Sequence, residues 1–293
     1  MKTPLRPLAA ATGMLLAATL TACSSDSGAG AEPASGTTGG AGPTVSHVHG
    51  VGVDPADGRL YVATHEGVVA VSDDDTAERV GDKADYMGFT VIGAKTFLGS
   101  GHPEPGSDEP ADRGLIESGD SGRTWTTRSL AGTTDFHALE YAHDTVYGYD
   151  STNGVLRVST DRTTWDTRAE LAALDLAVSP EDPDLVLATT ESGVARSGDG
   201  GETFADGSGA VMAFLSWPEP ETLYGLDQGG GLHLSTDAGT TWKKAGTVPG
   251  GAPQALTAES PDHLLAATQD GVYESRDGGG TFTERLPIAG AAH

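Results

Sequence analysis

Two histidines stand two residues apart in the stretch SHVHGVGVD, Ser46 to Asp54, and three more candidates follow at His65, His102 and His137. In an extended strand residues i and i+2 share a face, so His47 and His49 can turn both rings toward one object. Three or more neutral imidazoles that converge make a transition-metal site, and a thioether beside them shifts the choice from zinc toward copper. Met87, in DYMGF, is the candidate thioether, and Met212 is a second. The chemistry depends on whether the chain gathers side chains spread from position 47 to position 137.

An internal repeat is what would gather them. SGDSGRTW from Ser118, SGDGGETF from Ser197, STDAGTTW from Ser235 and SRDGGGTF from Ser275 share a Ser, an Asp at +2, a Gly at +4, a Thr at +6 and an aromatic at +7. STDRTTW from Ser159 is a shortened copy and SDDD from Ser72 a degenerate one, and successive starts lie 46, 41, 38, 38 and 40 residues apart. Ahead of each octet come three apolar strands separated by Pro, Asp and Gly turns, as in HGVGVDPADGRLYVATHEGVVAVSDD and LDLAVSPEDPDLVLATTESGVARSGD. With one strand after the octet, each unit holds four strands in about 40 residues, the size of a propeller blade. Units begin near Thr44, Asp85, Thr134, Leu171, Ala210 and Pro253. The expected fold is therefore all-β, a six-bladed β-propeller whose blades cover one another's apolar faces and do not fold separately.

The octets resemble the Asp box, or BNR repeat, of sialidases and many other propeller proteins. The resemblance implies that Asp120, Asp161, Asp199, Asp237 and Asp277 are structural. Each carboxylate would accept backbone N–H bonds inside a tight hairpin, with Gly122 supplying a positive φ and Trp125 packing as the next strand begins. It further implies that the octets mark one rim of the ring, and that function belongs to the other, where strand one starts and strand two ends. Aligning the units places His49, Met87, His137, Leu174, Met212 and Gln254 at equivalent positions near the start of strand one. His65 and His102 share the end of strand two, where later blades carry Thr190 and Gln269. The candidate ligand or metal site is thus His47, His49, His65, Met87, His102 and His137 at the channel mouth in blades 1 to 3, with copper or zinc as the cofactor. An inserted acidic, Pro-rich loop, GSGHPEPGSDEPADRG, lies beside His102 and can cover the patch.

The chain opens with Lys2, Arg6, an apolar run from Leu8 to Leu20 and then Thr21-Ala22-Cys23, which resembles a bacterial lipoprotein signal. Cys23, the only cysteine, is then the lipidated residue. The expected organisation is a signal peptide over 1–22, a flexible tether of Gly, Ala, Ser, Thr and Pro over 23–44, and the propeller over 45–293, anchored to a membrane outside the cytoplasm. A formal net charge of −25 argues against nucleic acid as a partner, because phosphate binding needs clustered Lys and Arg.

Three functions compete. The first is a surface-anchored binding lipoprotein taking a small ligand, a metal or a glycan at the rim. The second is a glycoside hydrolase of the sialidase-like superfamily. Sialidases, however, need three arginines, a Tyr with a Glu base and an Asp acid. No Phe-Arg-Ile-Pro-like motif precedes the first octet, RLP at Arg285 falls in the last strand, and only Arg113 maps to the functional rim. An anionic sugar would lack its bidentate clamp. A neutral glycan would need a pair among Glu66, Glu104, Asp135 and Asp150, with Tyr86 and Tyr149 nearby, and the sequence singles out no catalytic pair. The third is a non-catalytic binding or assembly module, implied by resemblance to photosystem II assembly factors and sortilin-type domains.

Overall fold

Each repeat unit folds as a four-stranded antiparallel meander. Blade 1 runs Val48–Val53, Leu60–Thr64, Gly67–Val71 and Ala77–Val80 in that spatial order, and five further sheets repeat it. The computed structural model describes Pro43 and residues 45–288. The expected signal peptide, Cys23 and nearly all of the tether lie outside the described residues. The first strands of blades 2 to 6 are Asp85–Gly93, Phe136–Ala142, Leu176–Val178, Met212–Glu219 and Pro253–Ser260. They adjoin in order, and the last adjoins Val48–Val53, so the chain is a six-bladed β-propeller.

The strand sequences follow from this ring. LYVAT and GVVAV of blade 1 are buried at every position, because a middle strand has a neighbouring blade over each face. The outermost strands need no such cover, and TTRS at Thr126–Ser129 is largely exposed. The core is therefore a set of layers between blades. Tyr61 and Phe89 both meet Phe97 edge-on, at centroid separations of 4.9 and 5.5 Å, in the layer joining blades 1 and 2. Such offset aromatic pairs contribute beyond their buried area.

The octets occupy the hairpins between third and fourth strands. In the first, Ser118 Oγ donates to Asp120 Oδ1 at 2.9 Å and accepts the Gly122 N–H at 2.9 Å. Asp120 in turn accepts the Thr124 N–H at 2.8 Å and the Thr124 hydroxyl at 2.7 Å. The same pattern recurs at Asp199, Asp237 and Asp277. The shortened copy satisfies Asp161 with the N–H groups of Thr163 and Thr164. Hydrogen bonds to the charged form, led by those of Thr203 and Thr241, pull the Asp199 and Asp237 carboxyls down to about 2. These aspartates are spent on turns. The octet tryptophan then folds back over its own blade: a Cβ at Gly225 would come within 2.8 Å of the Trp242 ring, so the second strand of blade 5 needs glycine there.

Among the described residues no strand is exchanged between the first and last blades, and every sheet is built from consecutive strands. The seam is closed by side chains instead. The Val48 N–H donates to Gln254 Oε1 and the Val53 N–H to Glu259 Oε1, both at 2.9 Å, and Thr257 Oγ1 donates to the Val51 carbonyl at 2.7 Å. One apolar cluster, with Val48, Val62 and Val69 from one side and Leu265, Val272 and Leu286 from the other, fills the layer behind them.

Candidate functional site

The entry to the first strand carries a bulge in blades 1, 2, 3, 5 and 6, and these bulges decide what faces the channel mouth. Gly50 pairs with Ala63 and Val48 with Thr64, leaving His49 as the extra residue. The same irregularity leaves out Met87, His137, Ala213 and Gln254 in blades 2, 3, 5 and 6. In blade 4 Leu176 pairs with Ala188, which puts Asp175 at the equivalent place. The sequence alignment of the units is thus correct in blades 1, 2, 3 and 6 and one residue early in the other two, where Asp175 and Ala213 replace Leu174 and Met212. Met212 is core, 3 % exposed. A bulge re-aims a side chain at the cost of local pairing, and a count of residues from the preceding turn cannot see where it falls.

Three of the candidate imidazoles converge. His47, His49 and His65 each offer a ring nitrogen, all within 4.8 Å of one another. Their centroids are 4.6 to 5.2 Å apart, and His49 Nε2 lies 3.4 Å from His65 Nε2. All three belong to blade 1, and His65 and His47 take outer partners from its two neighbours. His65 Nδ1 meets Asp85 Oδ1 of blade 2 at 2.9 Å, and His47 Nδ1 meets Gln254 Nε2 of blade 6 at 3.0 Å. Burial, followed by the neighbouring His47, His65 and His137, pushes the His49 imidazole down to about 3. Burial and then His65 lower that of His47 as well. Both are therefore neutral at ordinary pH, the state in which imidazole binds a metal.

His102 and His137 gather on a different group. Asp135, only 5 % exposed, places Oδ2 2.7 Å from His137 Nε2 and 3.6 Å from His102 Nε2. His102 Nδ1 donates to the Ala111 carbonyl at 2.9 Å, so this histidine fastens the inserted loop to the rim. Among the described residues the metal-compatible grouping contains His47, His49 and His65 and not these two. Met87 sits half-buried at the bulge of blade 2. Asp85, the carboxylate that orients His65, was legible only as the start of a repeat unit.

The carboxylates considered for sugar chemistry have other partners. Asp150 is fully buried and accepts from Arg157 at 2.7 Å and Asn153 at 2.8 Å. Glu66 accepts the Ser46 hydroxyl at 2.5 Å, and Glu104 the Lys83 N–H at 2.5 Å. Tyr86 is buried and donates to Asp82 at 2.6 Å. Arg113, 6 % exposed, lies over the Tyr86 ring with Asp82 and Glu109 each at 3.3 Å, so it pins the base of the insertion.

Behind the mouth runs the central channel, about 250 Å³, lined from all six first strands. His49 and His137 stand in its wall, and deeper groups include Glu140, Asp175 and Glu259. Burial pushes Asp175 up to about 7, against the N–H donors of Leu215 and Leu176, and burial with the Asp175 charge pushes Glu140 up to about 8. The sequence reading missed both, because Glu140 within a first strand and Asp175 just before another come to share an interior only when the ring closes.

Searches against protein-family models and against curated sequences return no match. Solved structures do match, and they share the propeller. The GH74 xyloglucanase from Xanthomonas campestris aligns over 83 % of this chain and 46 % of its own, at 15 % identity and a TM-score of 0.55. An ancestral GH74 enzyme aligns over 82 % and 38 %, at 13 % identity and a TM-score of 0.53. A chain of a nidogen/laminin complex aligns over 79 % and 96 %, at 12 % identity and a TM-score of 0.59. The chain spans less than half the length of the two GH74 enzymes, and at these identities the likeness is one of fold.

Proposed function

We propose that this chain is an extracytoplasmic binding propeller that holds a transition-metal ion, copper or zinc, at its channel mouth through His49 and His65 with His47 beside them. The observation that carries the reading is the approach of three imidazole nitrogens to within 4.8 Å, two of them 3.4 Å apart. With metal–nitrogen bonds of about 2.0 to 2.1 Å, two ligands of one ion stand about 3.3 Å apart at a tetrahedral angle and about 4.1 Å apart in a linear arrangement, so a separation of 3.4 Å lets a single ion reach both nitrogens. The carboxylate on the outer nitrogen of His65 is the usual orienting partner of a ligating histidine. The lipoprotein-like start supports anchoring through Cys23 on the outer side of a membrane. The test is metal analysis of purified protein. Copper or zinc retained by the wild type and by His102→Ala, and lost from His65→Ala, supports the site; equal retention by all three defeats it. Separately, Cys23→Ala should leave the membrane fraction and no longer take up fatty-acid label.

A glycan-active reading draws on the likeness to GH74 folds and on the paired carboxyls of Glu140 and Asp175. Against it, the channel volume of about 250 Å³ falls below the roughly 300 to 1,000 Å³ of pockets that enclose a small ligand. A sugar would have to lie on the rim, away from that pair. Release of reducing sugar from a xyloglucan or other neutral glycan, abolished by Glu140→Gln, would promote this reading over the first.

A further inference from the structure

Gln254 is the feature of the site that the metal reading leaves unused. It occupies the bulge of blade 6 that His49 occupies in blade 1, and it is buried. Its orientation is fixed by a donor that cannot be reversed: the Val48 N–H points at one end of the amide at 2.9 Å, so that end is the oxygen. The other end is then the NH₂, which donates to His47 Nδ1 at 3.0 Å. An acceptor nitrogen carries no hydrogen, so neutral His47 holds its proton on Nε2. The opposite arrangement holds at His65, where the Asp85 carboxylate takes the hydrogen of Nδ1 at 2.9 Å and leaves Nε2 bare. The bond between His65 Nε2 and His49 Nε2 then uses the His49 hydrogen. A cation entering there replaces that hydrogen, which moves to His49 Nδ1.

For His47 both routes to a metal are obstructed. Coordination through Nδ1 requires the Gln254 amide to leave. Coordination through Nε2 moves the proton to Nδ1, where it faces the hydrogens of the amide. Ligating histidines ordinarily give their outer N–H to a carboxylate, carbonyl or water, and an amide NH₂ is the reverse of that.

We infer that Gln254 is a positioning residue that sets the tautomer of His47, withholds it from the ligand set, and so leaves a two-nitrogen site selective for monovalent copper over zinc. The inference rests on the metal reading above. Monovalent copper is stable with two nitrogen ligands, whereas zinc in proteins takes three or four protein ligands in a tetrahedron. The site therefore chooses its metal by coordination number, set by one side chain that touches no metal itself.

The test is the near-isosteric Gln254→Glu. Its carboxylate can still accept from the Val48 N–H while its second oxygen accepts from His47 Nδ1, freeing Nε2. Two measurements separate the claims. Long-range ¹H–¹⁵N spectra of the metal-free protein should show His47 protonated on Nε2 in the wild type and on Nδ1 in the variant. Titrations with zinc, and anaerobically with monovalent copper, should then show zinc affinity rising at least tenfold in the variant while that for monovalent copper changes less than threefold. A tautomer that inverts with no gain in zinc affinity overturns the gate and leaves the metal site standing. A tautomer that does not invert overturns the assignment of Gln254. Binding of neither metal to either protein removes the metal reading, and the gate with it.

Discussion

At the scale of single residues, the site is a set of nitrogens whose hydrogens have been placed by neighbours. Asp85 does this for His65, and its removal isolates the effect from the ligand itself. Asp85→Ala should weaken metal binding by about 10- to 100-fold, as loss of an orienting carboxylate does elsewhere, with the fold intact by circular dichroism. Acid should act on the site in a defined direction. Because the His49 imidazole is pushed down to about 3 while an exposed histidine titrates near 6.5, the folded protein refuses a proton that the unfolded chain accepts. The stability contributed by His49 is present above about pH 6.5 and is lost as pH falls toward its folded value, and His49→Asn should flatten that acid limb in a melting series. The histidine types and their rim were readable from the sequence, since His47 and His49 sit at a strand start and His65 at the end of the next strand. The carboxylate partners of His65, His102 and His137 were not, because Asp85 meets His65 and Asp135 meets His102 across blade boundaries that spacing alone leaves undefined.

At the scale of elements, the repeat could be read almost completely and its exceptions could not. The octets reported four-stranded units because Ser, Asp, Gly and Thr at fixed offsets have local work to do within one hairpin. The bulges escaped detection since their position depends on pairing with the second strand, as the shift to Asp175 and Ala213 illustrates. Two substitutions test whether the local chemistry carries the stability assigned to it. Ser118 is fully buried and serves both Asp120 and the Gly122 N–H, so Ser118→Ala strands a buried donor and should cost about 1 to 3 kcal/mol in denaturant unfolding. Gly225→Ala places a methyl 2.8 Å from Trp242 and 3.0 Å from Met212 Sδ; overpacking of this kind costs about 1 to 3 kcal/mol. If either variant unfolds at the wild-type midpoint, that octet or its tryptophan is not holding the blade as described.

At the scale of the whole molecule, the ring creates an interior that no single blade possesses, and its acids give the last prediction. Glu140 of blade 3 and Asp175 of blade 4 both line the channel, and the described wall contains neither Lys nor Arg. Asp175 ionises first because backbone N–H groups stabilise its charge, and that charge then opposes ionisation of Glu140, already disfavoured by burial. A carboxyl whose pKa rises on folding holds its proton more tightly in the folded protein. Its stabilising effect is therefore complete below the unfolded value, 3.8 for Asp175 and 4.5 for Glu140, and is lost as pH climbs through about 7 for Asp175 and about 8 for Glu140. A tenfold change in proton affinity corresponds to about 1.4 kcal/mol. Both residues are half-buried and not fully enclosed, so solvent screening reduces this, and the loss between pH 5 and pH 8.5 should be about 1 to 3 kcal/mol for the pair. Glu140→Gln keeps the shape and removes the charge, so it should leave stability near pH 5 unchanged and raise it at pH 8.5, by urea unfolding at both values. The opposite limb assigned to His49 lies on the acid side, so the two variants should flatten different ends of one pH profile. A Glu140→Gln protein that gains nothing at pH 8.5 would mean that the closed ring hydrates this acid as freely as bulk water does.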